Sequence, residues 1–263
     1  MIKLNGKVVG INHFPDGSLF LKEKVDMDSL LENSLIEWFF ENNEELVVLI
    51  YLAQHLHATG VVHIDLLMPY IPNSRMDRVK NEDDVFTLKY FAEIINSLNF
   101  DNVIVVDPHS SVSGALLDNV IIDDGNIFIQ DAIDECEPDM LFFPDNGAMK
   151  RYSEIIKYPY AFGIKSRNWE TGQIEGLDVA GAVEQINGKD ILIVDDICSR
   201  GGTFLHSAKK LKELGANKIY LYVTHCENTI LEGELLTSGL IEKVYTTNSI
   251  FTKEHEKIEV FEV

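Results

Sequence analysis

The 263-residue chain holds 46% hydrophobic, 10% aromatic and 25% charged residues, ordinary globular proportions that exclude a disordered, collagenous or low-complexity protein. It sets 43 Asp+Glu against 22 Lys+Arg, a formal net charge of −21, and that field repels nucleic-acid backbones and anionic membrane surfaces. An anionic ligand must then be held by local donors: backbone N–H groups, a few placed Arg or Lys, or divalent cations.

In chain order, the pattern predicts a helix over 44–60 (EELVVLIYLAQHLHATG) stopped by Gly60, then a strand in VVHIDLLMPY (61–70). A helix follows within 84–100, and strands are predicted in NVIVVDPH (102–109), DMLFFPD (139–145), YAFGIKS (160–166) and DILIVDD (190–196). A helix over 201–216 ends at Gly215, and strands in KIYLYVTH (218–225) and KVYTTNS (243–249) complete the series. Near-continuous apolar, β-branched runs are the mark of strands buried on both faces of a parallel sheet, and their alternation with amphipathic helices predicts a doubly wound α/β fold. The acidic stretch 118–137, with Gly125 inside it, separates two sets of βα units, so the expected domains are 1–124 and 125–263. The acidic runs near 41–45 and 131–137 read as solvated faces. Trp38, Phe39 and Phe40 read as core or subunit contacts, and His55, His57 and His63 lack the spacing of a metal site.

Cys136, Cys198 and Cys226 form no CxxC pair, which predicts neither a disulfide framework nor a structural zinc. The opening MIKLNGKVVGINHF has no apolar targeting core, and no run approaches the ~18 apolar residues of a spanning helix. A soluble, cytoplasmic protein is the expectation.

In open parallel sheets ligands bind beyond the carboxyl ends of the strands, so those ends carry the chemical reading. The sharpest is ILIVDDICSRGGTF (191–204): a buried strand, the acids Asp195 and Asp196, then a loop with Ser199, Arg200, Gly201, Gly202 and Thr203 leading into a helix. Glycines let backbone N–H groups converge and the helix start adds partial positive charge, so a phosphate can be held without net basic composition. The two carboxylates then lie where they accept hydrogen bonds from vicinal ribose hydroxyls. Arg75 and Arg78 flank a short polar loop after a strand and suit a polyphosphate, being planar and permanently charged. His109 and Asp145 each end a strand, where a divalent ion or its water can be reached, and Mg²⁺ needs only one or two protein ligands. Lys165 and Arg167 precede NWETGQIEG, a polar stretch with Gly172 and Gly176 that reads as a mobile loop.

VDDICSRGGTF resembles the phosphoribosyl-diphosphate loop of type I phosphoribosyltransferases and of ribose-phosphate diphosphokinases (PRPP synthetases). The resemblance to the diphosphokinases runs almost end to end, through HFPDGS (13–18), PYIPNSRMDR (69–78), VVDPHSSVSGALLD (105–118), FFPDNGAMKR (142–151), GIKSR (163–167), THCENT (224–229) and VYTTNS (244–249). It implies two phosphoribosyltransferase-like domains and Mg²⁺-dependent transfer of the β,γ-diphosphoryl group of ATP to the C1 hydroxyl of a ribose 5-phosphate moiety. By the same resemblance Phe14, Asp16, Arg75, Asp77, Arg78 and His109 hold ATP, and His109 and Asp145 hold the metal. Asp195, Asp196 and residues 199–203 hold the ribose phosphate, while Lys165 and Arg167 neutralise charge on the transferred group. A homo-oligomer, at least a dimer, is implied because the HFPDGS segment serves a neighbour's nucleotide site in that family.

The chain departs from the family pattern at Ser199 and Arg200, where an Asp-Thr pair is usual, at Met76 where Gln is usual, and at Ser18 where an acid is common. Arg200 makes ADP-ribose an alternative acceptor. A PRPP-consuming phosphoribosyltransferase and a non-catalytic regulatory paralogue are the remaining alternatives. The chain is also shorter at both ends than the usual member, so the family's hexamer and its effector control are not carried over.

Overall fold

A computed structural model describes residues 1–22, 33–167 and 174–263, apart from the side chains of 165–167 and 174–177. The chain divides into two units, Met1–Asp124 and Gly125–Val263.

In chain order the first unit holds β1 (Ile2–Leu4), β2 (Lys7–Val8), β3 (Ile11–His13), β4 (Leu19–Leu21), β5 (Asn33–Trp38) and α1 (Glu44–Ala58). It continues with β6 (His63–Leu67), α2 (Thr87–Asn96), β7 (Asn102–Val106), α3 (Ser111–Leu116) and β8 (Val120–Asp123). The main sheet has the order β2-β1-β5-β6-β7-β8, while β3 and β4 form a separate hairpin. Strands β5 to β8 are parallel, and β1 runs antiparallel to β2 and β5.

Helix α1 forms because Val48, Leu49, Leu52, Ala53 and Leu56 recur at helical spacing and are buried together. It stops at Gly60, whose φ of +88° suits a residue without a side chain. These residues pack with Phe91, Ala92 and Ile95 of α2 on Ile36, Trp38, Ile64, Leu66, Val103 and Val105, which are alternate residues of β5, β6 and β7. The intervening Leu35, Leu67 and Ile104 are only half-buried.

One expectation fails here. Glu45, read as part of a solvated acidic face, is 2% exposed. Its carboxylate accepts hydrogen bonds from the Trp38 indole N–H at 3.0 Å and the Glu41 amide at 2.9 Å, so a buried charge is stabilised by donors that only the folded chain brings together.

The second unit holds α4 (Asn126–Cys136), β9 (Met140–Phe143), α5 (Asn146–Ile155), β10 (Tyr160–Arg167), β11 (Ile174–Gly181) and β12 (Ile191–Cys198). After these come α6 (Gly202–Glu213), β13 (Ile219–Cys226), β14 (Val244–Thr247) and β15 (Ile258–Phe261). The sheet order is β11-β10-β9-β12-β13-β14-β15, and every neighbouring pair is parallel except β10 with β11.

Met140, Phe142, Ile191, Ile193, Leu221 and Val223 pack on Phe204, Leu205, Ala208 and Leu211 of α6. The alternate residues Leu141, Phe143, Leu192, Val194 and Tyr222 are equally buried. Tyr152 of α5 stacks on Phe143 with ring centroids 6.2 Å apart. The near-continuous apolar strands are therefore matched by protein on both faces. The acidic stretch read as a separator folds in part as β8 and α4, the latter burying Phe128, Ile129, Ala132 and Ile133 while its acids at 131, 134 and 135 face solvent.

Candidate active site

In the second unit the sheet brings three carboxylates to one end. Strands β9 and β12 pair in parallel, with Leu141 beside Leu192 and Phe142 beside Ile193, so both chains leave the sheet on the same side. Two residues past β9, Asp145 caps α5, its Oδ1 accepting from the Gly147 amide at 2.9 Å and the Ala148 amide at 3.1 Å. Near the end of β12 lie Asp195 and Asp196. Burial, then the charges of Asp196 and Asp145, push the Asp195 carboxyl well above the usual carboxylate range.

Arg151, on the second turn of α5, offsets part of this charge. Its Nη1 lies 3.3 Å from Asp196 Oδ2, with the Asp196 side chain 8% exposed. Arg151 was not singled out in the sequence. A cation six residues after a strand-end acid, in a helix whose next residue is an aromatic anchor, was the available signal.

Beyond β12 the chain turns through Ser199 to Gly201, where φ is +79°, and enters α6 at Gly202. The helix starts that follow β9 and β12 differ. Asp145 caps α5, whereas no side chain caps α6. A Cβ added at Gly202 meets nothing within 4 Å. An uncapped, open helix start with orphan N–H groups, downstream of two acids, can hold a phosphate whose sugar hydroxyls reach the carboxylates.

Arg200 does not add its charge there. It is exposed, and its Nη2 bonds Glu232 Oε2 at 2.8 Å. Thr224, His225, Thr246, Thr247 and Ser249, from the two C-terminal motifs, are buried. The Thr224 carbonyl accepts hydroxyls of Thr247 at 2.6 Å and Ser249 at 3.2 Å, and His225 Nδ1 pairs with Ser249 Oγ at 2.8 Å. Those motifs thus supply a polar wall within the sheet. Lys165 and Arg167 fall on β10, with Lys165 opposite Leu177 and a bulge between Ser166 and Arg167. Their side chains and most of the polar stretch after them lie outside the described residues.

In the first unit β6 and β7 are parallel neighbours. The loop after β6 carries exposed Arg75 and Arg78, the latter with Nε 3.2 Å from Asp77 Oδ1. After β7 comes Asp107, 2% exposed and held at a φ of +41°, two residues before the half-buried His109. A non-glycine residue in that conformation marks a constrained strand end. A cavity of about 370 Å³ adjoins Arg75 and is lined also by Phe40, Asn43, Tyr70, Asn73 and Met76. Phe40 and Tyr70, 6.2 Å apart, give it an aromatic wall, and the sequence reading assigned Phe40 to core or subunit contacts.

Phe14 and Asp16 sit at the tip of the β3–β4 hairpin, both exposed. Phe14 packs on Phe20 with centroids 4.4 Å apart. Asp16 accepts the Ser18 hydroxyl at 2.6 Å and the Ser18 amide at 2.9 Å, and these bonds hold its carboxyl below the usual range. Ser18 thus keeps the turn closed. Among the described residues no cluster of three or more His, Cys, Asp or Glu forms a metal cage, and no helix is long and apolar enough to cross a membrane.

Comparison with known proteins bears on the whole chain. Residues 174–262 match the family described as phosphoribosyl synthetase-associated domain. The ribose-phosphate pyrophosphokinase of Pyrococcus abyssi is 29% identical, covering 93% of this chain and 85% of the relative. That of Sulfurisphaera tokodaii is 26% identical over 100% of this chain and 89% of its own. The crystal structure of phosphoribosylpyrophosphate synthetase from Mycobacterium smegmatis shares the fold, with a TM-score of 0.78, 19% identity, and coverage of 97% of this chain and 86% of that one. With its motifs in the same order and sequence similarity across nearly its whole length, the chain is similar to the ribose-phosphate diphosphokinases (PRPP synthetases), and it shares the fold of one of them.

Proposed function

We propose that this protein is a Mg²⁺-dependent diphosphokinase that transfers the β,γ-diphosphoryl group of ATP to the C1 hydroxyl of ribose 5-phosphate, releasing AMP and forming PRPP. The observation that carries this reading is the end of β12: two acids followed by an uncapped helix start with open space at Gly202. That arrangement suits the hydroxyls and the phosphate of one phosphorylated ribose. Relatives named for this chemistry match 93% of the chain or more.

In this reading Asp195 and Asp196 accept the ribose hydroxyls, and the backbone of residues 199–203 holds the 5-phosphate. Arg75, Asp77, Arg78 and His109 hold ATP, with Phe14 and Asp16 serving a neighbouring copy in a homo-oligomer that is at least a dimer. Mg²⁺ is assigned to His109 and Asp145, and the crowding of Asp195 beside Asp145 and Asp196, which disfavours its ionisation when no cation is there, fits a site that takes a divalent cation with phosphate oxygens and water. Held by His109 and Asp145, the ion would supply Lewis-acid neutralisation of the phosphate charge. Lys165 and Arg167 neutralise charge on the transferred group, so catalysis is positioning and electrostatic stabilisation. A reducing cytoplasm suits the three free thiols.

Free ribose 5-phosphate is the acceptor proposed, because the relatives that match the chain are named ribose-phosphate pyrophosphokinases, and Arg200, the residue that would have favoured ADP-ribose, lies on the exposed rim beside Glu232. The test is AMP release from MgATP with ribose 5-phosphate and ADP-ribose supplied separately and the product mass recorded. AMP with a diphosphorylated ribose 5-phosphate is the expected result; AMP with ADP-ribose alone overturns the acceptor, and AMP with neither overturns the chemistry. Lys165→Ala is expected to collapse turnover while ATP affinity stays near that of the parent.

A further inference from the structure

The loop that follows Asp195 and Asp196 rests on a segment about thirty residues downstream. The Glu227 amide donates to the Cys198 carbonyl at 2.8 Å, which ties the start of the loop to the end of β13. A short 3-10 turn then runs over Asn228–Glu232 and ends at Gly233. A Cβ built on Gly233 would lie 2.0 Å from the Arg200 carbonyl oxygen, 2.9 Å from its carbonyl carbon and 3.2 Å from its Cα. The φ of Gly233 is −90°, open to any L-residue, so what demands glycine is space and not conformation. The contact is returned from the other side, where a Cβ on Gly201 would come within 2.8 Å of Leu235 Cδ2.

The consequence follows from peptide geometry. In a trans peptide the C=O and the N–H point in opposite directions. The Arg200 carbonyl is packed against Gly233, so the Gly201 N–H of the same peptide is turned away from that wall. We propose that Gly233 is a positioning residue for phosphorylated ribose: by letting backbone pack on backbone, it fixes the Arg200–Gly201 peptide and so presets the N–H groups that enter α6. Leu235 is the side-chain half of the same buttress, 0% exposed and against Gly201. The Arg200–Glu232 pair lies on the exposed rim and adds little.

The inference rests on the proposed site for ribose 5-phosphate, and the experiment separates the two. Binding of ribose 5-phosphate and of MgATP is measured by calorimetry on the full chain, alongside KM for each substrate and kcat. Gly233→Ala must push the Arg200 carbonyl aside, and is expected to weaken ribose 5-phosphate binding and raise its KM by about tenfold or more, since displacements near 1 Å can cost ~100-fold. The KM for ATP should stay within about twofold, because a loss confined to one substrate marks local positioning. Glu234→Ala, exposed on the same segment, is the neutral control.

If Gly233→Ala does not fold, Leu235→Ala carries the test, with the same selective rise in the KM for ribose 5-phosphate. A folded variant with unchanged ribose 5-phosphate binding overturns the proposal. So does a parallel loss for both substrates with a lowered melting temperature, which is what a purely structural role gives. Parent protein that binds MgATP but no ribose 5-phosphate removes the site reading and this inference together.

Discussion

Strands β5 and β6 of the first unit bury every second residue, and β7 does so up to Val105, with Val106 buried as well, whereas β9 and β14 of the second are buried at every position and β12 at six of eight. In the first unit the sheet's buried residues and the three crossover helices share one core. In the second, α6 covers one face while Tyr152 of α5 stacks on Phe143 of the other. The same alternation of strand and helix therefore supports two packing regimes. The practical lesson concerns position: an apolar residue of β9 or β14 is a core residue on either face, while in β5 and β6 its worth depends on its parity along the strand.

The largest expected effect tests that contrast directly. Phe142→Ala in β9 should lower unfolding stability by about 3–5 kcal/mol, because a fully buried ring leaves a cavity. Ile104→Ala on the half-buried face of β7 should cost about 1 kcal/mol or less. Urea unfolding of both variants decides; equal losses would erase the distinction.

Next in size is the ion pair in the candidate site of the second unit. Arg151→Ala leaves the Asp196 carboxylate without this partner and is expected to cost about 2 kcal/mol of stability. It should also raise the KM for ribose 5-phosphate more than that for ATP, with Arg151→Lys recovering part of the loss. A variant as stable and active as the parent would show the pair to be incidental.

Two aspartates, one in each unit, should answer pH in opposite directions. Asp101 of the first unit is held below the usual carboxylate range, first by the Ile64 amide and then by His63. Its contribution is present above the ordinary Asp range and is lost as pH falls through its lowered value. Asp195 of the second unit is raised by burial and by neighbouring carboxylates. Its contribution is full below the ordinary Asp range and is lost as pH rises through the raised value. In EDTA, Asp195→Asn should therefore flatten the decline in melting temperature with rising pH and stabilise the protein at neutral pH by about 1 kcal/mol, while abolishing turnover. A lower melting temperature than the parent at neutral pH would contradict this.

The smallest effect concerns the thiols of the second unit. Burial pushes Cys136 up to about 12. Cys198 is raised by its contact with Cys226, its register partner on β13, and by burial. No thiol should react appreciably with a disulfide reagent at pH 8 in the native protein, and all three should react after unfolding. Rapid native-state modification of Cys198 would mean that the end of β12 and the turn after it open.

What was legible before folding follows from the length and polarity of each segment. The strands at 61–70, 102–109, 139–145, 190–196, 218–225 and 243–249, and the helices at 44–60, 84–100 and 201–216, are long and strongly patterned, and each corresponds to an element. The short strands β1, β2, β8 and β15 carry two to four residues each and lie at or near sheet edges, too few for a periodic signal. Antiparallel β11 escaped for another reason, since IEGLDVAG is rich in glycine and reads as loop.

The site divides along the same line. Asp145, Asp195, Asp196 and the Gly201-Gly202 turn could be read from sequence because a strand end, an acid and a glycine turn are local events. Arg151 beside Asp196, Arg200 drawn off by Glu232, Glu45 buried under Trp38, and Gly233 against the Arg200 carbonyl could not. Each of these is a contact between residues separated along the chain, four or more places and in most cases over thirty, set by sheet register and by which helix covers which face. By itself the sequence determined the α/β class, the main βα units and the strand-end chemistry, because hydrophobic periodicity and turn residues act within a few positions. Only the tertiary structure decided which charges are paired and what packs against the turn at 199–201, because those depend on the packing of distant segments.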